Sequence, residues 1–131
     1  MLKKFSLQTD IEGFYDITRS VESFVRENKI EAGVCLVYCP HTTAAITINE
    51  NADPDVLKDM LLGLSRTFPD DPNYRHYEGN SPAHLKSSAV GCSELLIIQN
   101  NQLVRGTWQG IYFAEFDGPR NRNYYVKLIG D

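Results

Sequence analysis

The chain has 131 residues, of which 42% are hydrophobic and 23% charged, and its formal net charge is −4. These values are typical of one folded domain, residues 1–131, and exclude disordered, collagen-like and coiled-coil chains. The acidic balance argues against a nucleic-acid partner, because counterion release needs a concentrated basic surface. No apolar run approaches the roughly 18 residues that span a bilayer, and the first residues lack a signal-peptide core. We therefore expect a cytoplasmic protein without a membrane partner.

The first half of the chain predicts short strands and two helices. Alternating residues predict an edge strand at 5–7, and apolar residues at helical spacing predict a helix at 17–25. The apolar runs 34–38 and 44–48 have the length and composition of strands. Asp53-Pro54 can start a second helix, with the carboxylate as cap and proline where an N–H is not needed. The stripe that this helix should bury consists of Val56, Leu57, Met60, Leu61 and Leu64.

The second half changes from helix to strand. A loop is predicted for 67–79, followed by a short helix at 83–87 that Ser81 caps and Pro82 begins. Successive strands are predicted at 94–99, 102–105, 107–116 and 123–129, with hairpin turns at Asn100-Asn101 and Asp117-Gly118. Helices followed by hairpin strands predict an α+β domain with a curved, split, mostly antiparallel sheet and two to three helices.

The three histidines are the strongest candidates for chemistry, since the chain lacks the usual nucleotide-loop, metalloprotease and serine-hydrolase motifs. His41 follows a strand, His76 lies in the long loop, and His84 lies on the short helix. Three neutral imidazoles can hold a metal ion and leave one position open for water or substrate. Gly79 lets the segment between His76 and His84 fold back. Alternatively, each ring makes only one local hydrogen bond.

Further polar side chains stand near predicted strand ends. Asn49 and Glu50 could orient an imidazole or transfer a proton, or they could simply form the turn before the next helix. Trp108, placed between two glycines, could flank a ligand or belong to the core. Arg120 and Arg122 straddle a turn and offer forks suited to phosphate, although exposed arginines are often merely solvated.

Five ordered blocks of the sequence together resemble the YjbQ family, also called UPF0047 or the secondary thiamine-phosphate synthase family. The blocks are His41-Thr42-Thr43-Ala44, Asn49-Glu50-Asn51-Ala52-Asp53-Pro54, residues 76–85, Gly106-Thr107-Trp108-Gln109-Gly110-Ile111 and Glu115-Phe116-Asp117-Gly118-Pro119-Arg120. The resemblance implies a compact α+β domain, a homotrimer, and a pocket that holds the histidines and often a metal ion or an anion.

The resemblance also implies roles for individual residues. His41, His76 and His84 would bind a divalent metal ion, zinc or magnesium. Glu50 would act with His41 and His84 in catalysis. The residues expected to bind substrate are Asn49, Asn80, Lys86, Trp108 and Arg120, with Arg120 and Lys86 meeting an anion and Trp108 or Tyr112 sheltering a ring.

The expected function is a secondary, metal-assisted thiamine-phosphate synthase activity. It joins an aminopyrimidine diphosphate to a thiazole phosphate and releases pyrophosphate. A histidine cage suits zinc better than magnesium, which leaves open a zinc-dependent hydrolase of another phosphorylated metabolite. A third alternative is a non-catalytic trimer that binds a small anion. In all three cases the partner is a small anionic or phosphorylated compound.

Overall fold

A computed structural model describes residues 1–131, which form three helices and eight strands. In chain order these are β1 Leu2–Gln8, β2 Gly13–Asp16, α1 Thr18–Asn28, β3 Ala32–Tyr38, β4 Ala44–Glu50, α2 Pro54–Thr67, α3 Ser81–Val90, β5 Ser93–Gln99, β6 Gln102–Leu103, β7 Gln109–Glu115 and β8 Asn121–Gly130. None of the three helices has both the length and the apolar character needed to cross a membrane.

The strands form two antiparallel sheets. The larger has the order β1-β8-β3-β5-β6, and the smaller has the order β2-β7-β4. The segment between β7 and β8 therefore passes from one sheet to the other, because β7 is central in the smaller sheet and β8 pairs with β1 and β3 in the larger. The hairpin predicted at Asp117-Gly118 does not form, since these two strands do not pair. One sheet curls into a half-barrel, which confirms the predicted α+β class and the split, curved sheet.

The main core lies between the inner faces of the two sheets and α1. Side chains alternate along each strand, so that Val37, Ile46, Phe113 and Val126 are fully buried while their neighbours in sequence point away. Val21 and Val25, one turn apart on α1, are also fully buried in this core. The helical spacing in the sequence therefore identified the packed face of α1 correctly.

Several local predictions are confirmed. Asp53 accepts a hydrogen bond from the Asp55 N–H at the start of α2, as a helix cap should. Asn100 and Asn101 both have positive φ, at 54° and 58°, in the tight turn between β5 and β6. β1 lies at the edge of its sheet.

Other predictions are wrong or incomplete. The residue at the N-cap of α3 is Asn80, and Ser81 is already the first helical residue. α2 has no buried residue, because it lies at the periphery and its apolar stripe is only half covered. β2 was not predicted, since a four-residue strand carries little pattern. β3 and β4 do not pair, although they are adjacent in sequence, because they belong to different sheets.

The outer face of the five-stranded sheet carries apolar side chains that are exposed in the single chain. Residues that pair across neighbouring strands point to the same face of the sheet, and Tyr38 and Tyr125 are such a pair on this face. Its most exposed apolar members are Leu2, Leu95, Ile97 and Ile129, each more than half exposed. A contiguous apolar surface of this kind is typical of a contact face between proteins.

Candidate functional site

Two of the three histidines and both arginines of the β7–β8 turn line one polar cleft of about 290 Å³. We call it the histidine–arginine cleft, and its lining residues are Thr42, Thr43, His76, Glu78, Asn80, His84, Arg120 and Arg122. A larger cleft of about 380 Å³ lies beside α1 and β6, but it contains no histidine. The histidine–arginine cleft is the better candidate because it combines proton-transfer groups with fixed positive charge.

His76 and His84 meet at one side of the cleft. Their ring centroids are 5.3 Å apart and the rings are nearly perpendicular. Gly79 has a φ of +73°, which a residue without a Cβ adopts readily, and this bend helps return the chain toward α3. The Nε2 atom of His76 lies 3.8 Å from Oε1 of Glu78. The predicted return of the loop therefore occurs, and it produces a histidine pair with a carboxylate beside it.

His41 does not line this cleft. Its Nε2 accepts a hydrogen bond of 3.0 Å from the backbone N–H of Asn123, and its ring lies edge-on to Phe113 with centroids 6.4 Å apart. Burial and, next, the positive charge of Arg122 lower the pKa of His41 below its ordinary value, so the ring tends to stay neutral. Nε2 of His41 is thus already used within the chain, which leaves only Nδ1 for a further ligand.

One chain does not assemble the predicted three-histidine set. No group of three or more His, Cys, Asp or Glu side chains is placed to hold a metal ion. The residues of the cleft offer two imidazoles and Glu78, but not the closed set of donors that a zinc or magnesium site needs. The metal ion therefore stays a prediction.

Arg122 is the most constrained side chain of the cleft. Its Nε donates to Oε1 of Glu115 at 2.8 Å, and its Nη2 donates to Oε2 at 2.5 Å. Nη2 also donates to the Thr43 hydroxyl at 2.8 Å, and the Thr9 hydroxyl donates to Glu115. Burial alone would raise the pKa of Glu115, but the hydrogen bonds from Arg122 and Thr9 hold that pKa below its ordinary value. The pair is therefore ionised and fixed.

Arg120 forms the corresponding exposed pair. Its Nε donates to the backbone carbonyl of Asp117 at 2.7 Å, and its Nη2 donates to the Asp117 carboxylate at 2.9 Å. The same carboxylate accepts a hydrogen bond of 2.7 Å from Nδ2 of Asn80. Partial burial would raise the pKa of Asp117, but the hydrogen bonds from Asn80 and Arg120 hold it below its ordinary value. Asn80 therefore ties the start of α3 to the turn that carries the arginines.

The remaining predicted site residues lie elsewhere in the chain. Asn49, Glu50 and Trp108 are at the opposite end of β4 and β7, because Glu50 pairs with Gln109 whereas Ala44 pairs with Glu115. Six residue steps along a strand separate these ends by about 20 Å. The predicted contact between His41 and Glu50 is therefore not made within one chain.

Lys86 and Tyr112 also lie away from the cleft. Lys86 is buried, and its Nζ contacts Oε1 of Glu12 at 3.1 Å instead of facing the cleft. The Tyr112 hydroxyl donates to the carbonyl of Glu50. Neither side chain is placed to meet a ligand bound beside His84.

Sequence reasoning did not single out Thr43, Glu78, Glu115 or Asp117 as members of the site. A signal existed for Glu115 and Asp117. Glu115 and Asp117 are two apart before the turn, and Arg120 and Arg122 are two apart after it. Because residues two apart in an extended chain point the same way, a reversal of the chain between them can bring such acids and arginines together.

The family model for "UPF0047 protein YjbQ-like" matches residues 3–131. The chain belongs to this family. It is 54% identical to the UPF0047 protein YugU of Bacillus subtilis, over 99% of this chain and 100% of that protein. It is 53% identical to a UPF0047 protein of Methanocaldococcus jannaschii, over 100% of this chain and 96% of that one.

Solved structures of similar proteins share the fold. A YjbQ/UPF0047 family protein from Clostridium acetobutylicum is 53% identical and superposes with a TM-score of 0.94, covering 97% of this chain and 99% of that one. A conserved hypothetical protein from Thermus thermophilus is 41% identical with a TM-score of 0.90, covering 97% and 99%. The resemblance inferred from the five sequence blocks is thus confirmed for family and fold.

Proposed function

We propose that this UPF0047 chain binds the phosphoryl group of a small metabolite in the histidine–arginine cleft and uses it for the thiamine-phosphate synthase reaction. The observation that carries the proposal is the meeting of His76, His84, Arg120 and Arg122 in one polar cleft. Guanidinium groups fit phosphate oxygens, and imidazoles can donate or accept a proton near neutral pH. A cleft that contains both kinds of group can bind a phosphorylated ligand and assist the departure of its leaving group.

In the synthase reaction the difficult event is the loss of pyrophosphate. The C–O bond between the aminopyrimidine methylene and the diphosphate breaks, and pyrophosphate leaves with the electron pair. The thiazole nitrogen supplies the electrons of the new C–N bond. Arg120 and Arg122 would stabilise the charge that develops on the leaving group, while a protonated His76 or His84 would donate to its oxygen.

A second candidate follows from the lining of the cleft, which contains no hydrophobic residue. An electron-poor aromatic ring is usually sheltered by apolar or aromatic side chains. Trp108 and Tyr112, which were expected to do this, lie at the other end of β7. This observation favours a protein that binds a small phosphorylated anion without turning it over.

A direct assay separates the candidates. The full-length protein is incubated with the aminopyrimidine diphosphate and the thiazole phosphate, and the products are followed by mass spectrometry with and without added zinc or magnesium. We expect thiamine phosphate and pyrophosphate in equal amounts. In a parallel screen of phosphorylated metabolites, release of inorganic phosphate would support a hydrolase instead. Retention without turnover would support the anion binder, and no binding at all would contradict the whole proposal.

We also propose that the chain forms the homotrimer that its family resemblance implies, through the apolar outer face of the five-stranded sheet. Leu95 and Ile97 on β5 are more than 60% exposed in the single chain, which supports a partner on this face. Analytical ultracentrifugation should give three times the mass of one chain. Ile97→Glu should shift the protein toward monomers, whereas Arg19→Glu, at an exposed site on α1, should not. A wild-type monomer would contradict the proposal.

A further inference from the structure

The two arginines of the cleft are held in the same way. Arg122 is held by Glu115, and Arg120 is held by Asp117. The two acidic residues are two apart in sequence, and so are the two arginines. In both arginines Nε and Nη2 make the recorded hydrogen bonds within the protein. Each guanidinium therefore keeps the same edge, the Nη1 group, without a partner in the chain.

The free edge of Arg122 is significant because the residue itself is almost fully buried. Its side chain is 6% exposed and that of Glu115 is 0% exposed. The buried side-chain polar atoms without a hydrogen bond are Oδ1 of Asn80 and Oδ1 of Asn101. Nη1 of Arg122 has no hydrogen bond and is not one of them, so this group belongs to the small exposed part of the residue. Since Arg122 lines the histidine–arginine cleft, a fixed N–H donor is presented there.

A buried arginine that only stabilised the fold would have no need to lie beside a pair of histidines. Burying an ion pair costs desolvation free energy that its attraction often does not recover. A preorganised donor, in contrast, loses little conformational freedom when a ligand binds. Arg120, 47% exposed, can adjust to the ligand, while Arg122 cannot move without breaking four hydrogen bonds.

We propose that the Nη1 groups of Arg122 and Arg120 bind phosphoryl oxygens of the ligand, and that Glu115 is a positioning residue that holds Arg122 for this contact. This inference rests on the proposed function, because it names the residues that recognise the phosphoryl group in the same cleft. Thr43 acts with Glu115, since its hydroxyl fixes Nη2 of Arg122 from the other side.

Replacing Glu115 tests the proposal, because the charge of the carboxylate and its role in positioning Arg122 predict opposite changes in anion affinity. Removing a carboxylate near an anion site should tighten anion binding if only Coulomb attraction matters. If Glu115 positions Arg122, its removal should weaken binding. Glu115→Gln keeps the shape of the side chain but replaces the two-oxygen acceptor by an amide. Glu12→Gln is the matched control, because Glu12 pairs with Lys86 outside the cleft.

The experiment is calorimetric titration of the full-length protein with inorganic pyrophosphate at constant ionic strength. We expect Arg122→Lys and Glu115→Gln each to weaken binding by about tenfold or more, the loss typical of a charge-assisted hydrogen bond. Glu12→Gln should bind like the wild type. Unchanged binding in Arg122→Lys, or tighter binding in Glu115→Gln, would overturn the proposal.

Two further measurements keep the result interpretable. If wild type binds pyrophosphate and His84→Ala does not, but Arg122→Lys binds normally, the proposed function survives and this inference falls. If wild type does not bind pyrophosphate, both fall. Should a variant of the buried pair fail to fold, the arginine side-chain N–H signals of the wild-type protein are followed by nuclear magnetic resonance. The Arg122 signals should shift on addition of pyrophosphate, and unshifted signals would overturn the inference.

Discussion

Arg122→Met is expected to lower the free energy of unfolding by about 3–5 kcal/mol, because it leaves the Glu115 carboxylate buried without its cation. Glu115 is fully buried, and Arg122 supplies two of the hydrogen bonds that its oxygens accept. Urea denaturation of the full-length protein, followed by circular dichroism, measures the change. This loss is a large part of the 5–15 kcal/mol that stabilises a typical domain.

Arg120→Met is the matched control for this experiment. The Arg120–Asp117 pair is 2.9 Å long and the buried pair 2.5 Å, and Arg120 is 47% exposed, so water screens its interaction. Its loss should cost less than about 1 kcal/mol. Two equal losses would show that the buried pair has no special role in stability.

The double variant Arg122→Met with Glu115→Leu tests why stability is lost. The loss can come from leaving the Glu115 carboxylate unpaired or from removing the ion pair itself. When both charges are replaced by apolar groups of similar size, no unpaired charge is left in the interior. Most of the stability lost in the single variant should therefore return. If the double variant is as unstable as Arg122→Met, the loss comes from packing and not from the stranded carboxylate.

His84→Ala is expected to lower the rate of the proposed synthase reaction by about 10²–10⁴-fold, the usual contribution of a positioned acid or base. His84 forms the cleft together with His76, and its ring lies 5.3 Å from that of His76. The rate of thiamine phosphate formation is measured at saturating concentrations of both substrates. Ser88→Ala, at an exposed position four residues further along α3, should leave the rate unchanged.

The same assay tests whether a neighbouring copy completes the site. His41 lies outside the cleft of its own chain and is bonded to Asn123. His41→Ala should therefore have a smaller effect on the rate than His84→Ala if one chain forms the whole site. An equal loss would place His41 in the reaction through another copy of the chain. An unchanged rate in His84→Ala would remove the histidine pair from the mechanism.

The elements whose signals are local were predictable from sequence. The Asp53-Pro54 helix start, the Asn100-Asn101 turn and the apolar face of α1 each depend on residues within a few positions of one another. Caps, turns and helical periodicity depend on residues this close in sequence, so they can be recognised from the sequence alone. The order of predicted helices and strands indicated the α+β class, the family blocks implied the same class, and the structure confirms it.

The composition of the site was decided by contacts between distant parts of the chain. His41 precedes β4 and Glu50 ends it, so the length of the strand keeps the two side chains apart. Lys86 is directed to Glu12, 74 residues away, and Arg122 is buried by Glu115 and Thr43. Sheet membership and burial depend on which surfaces pack together, and no local pattern encodes that choice. The residue types in the sequence therefore indicated which side chains could bind a phosphoryl group. Which of them line the same cleft was decided only by tertiary packing, and these are His76, His84, Arg120 and Arg122.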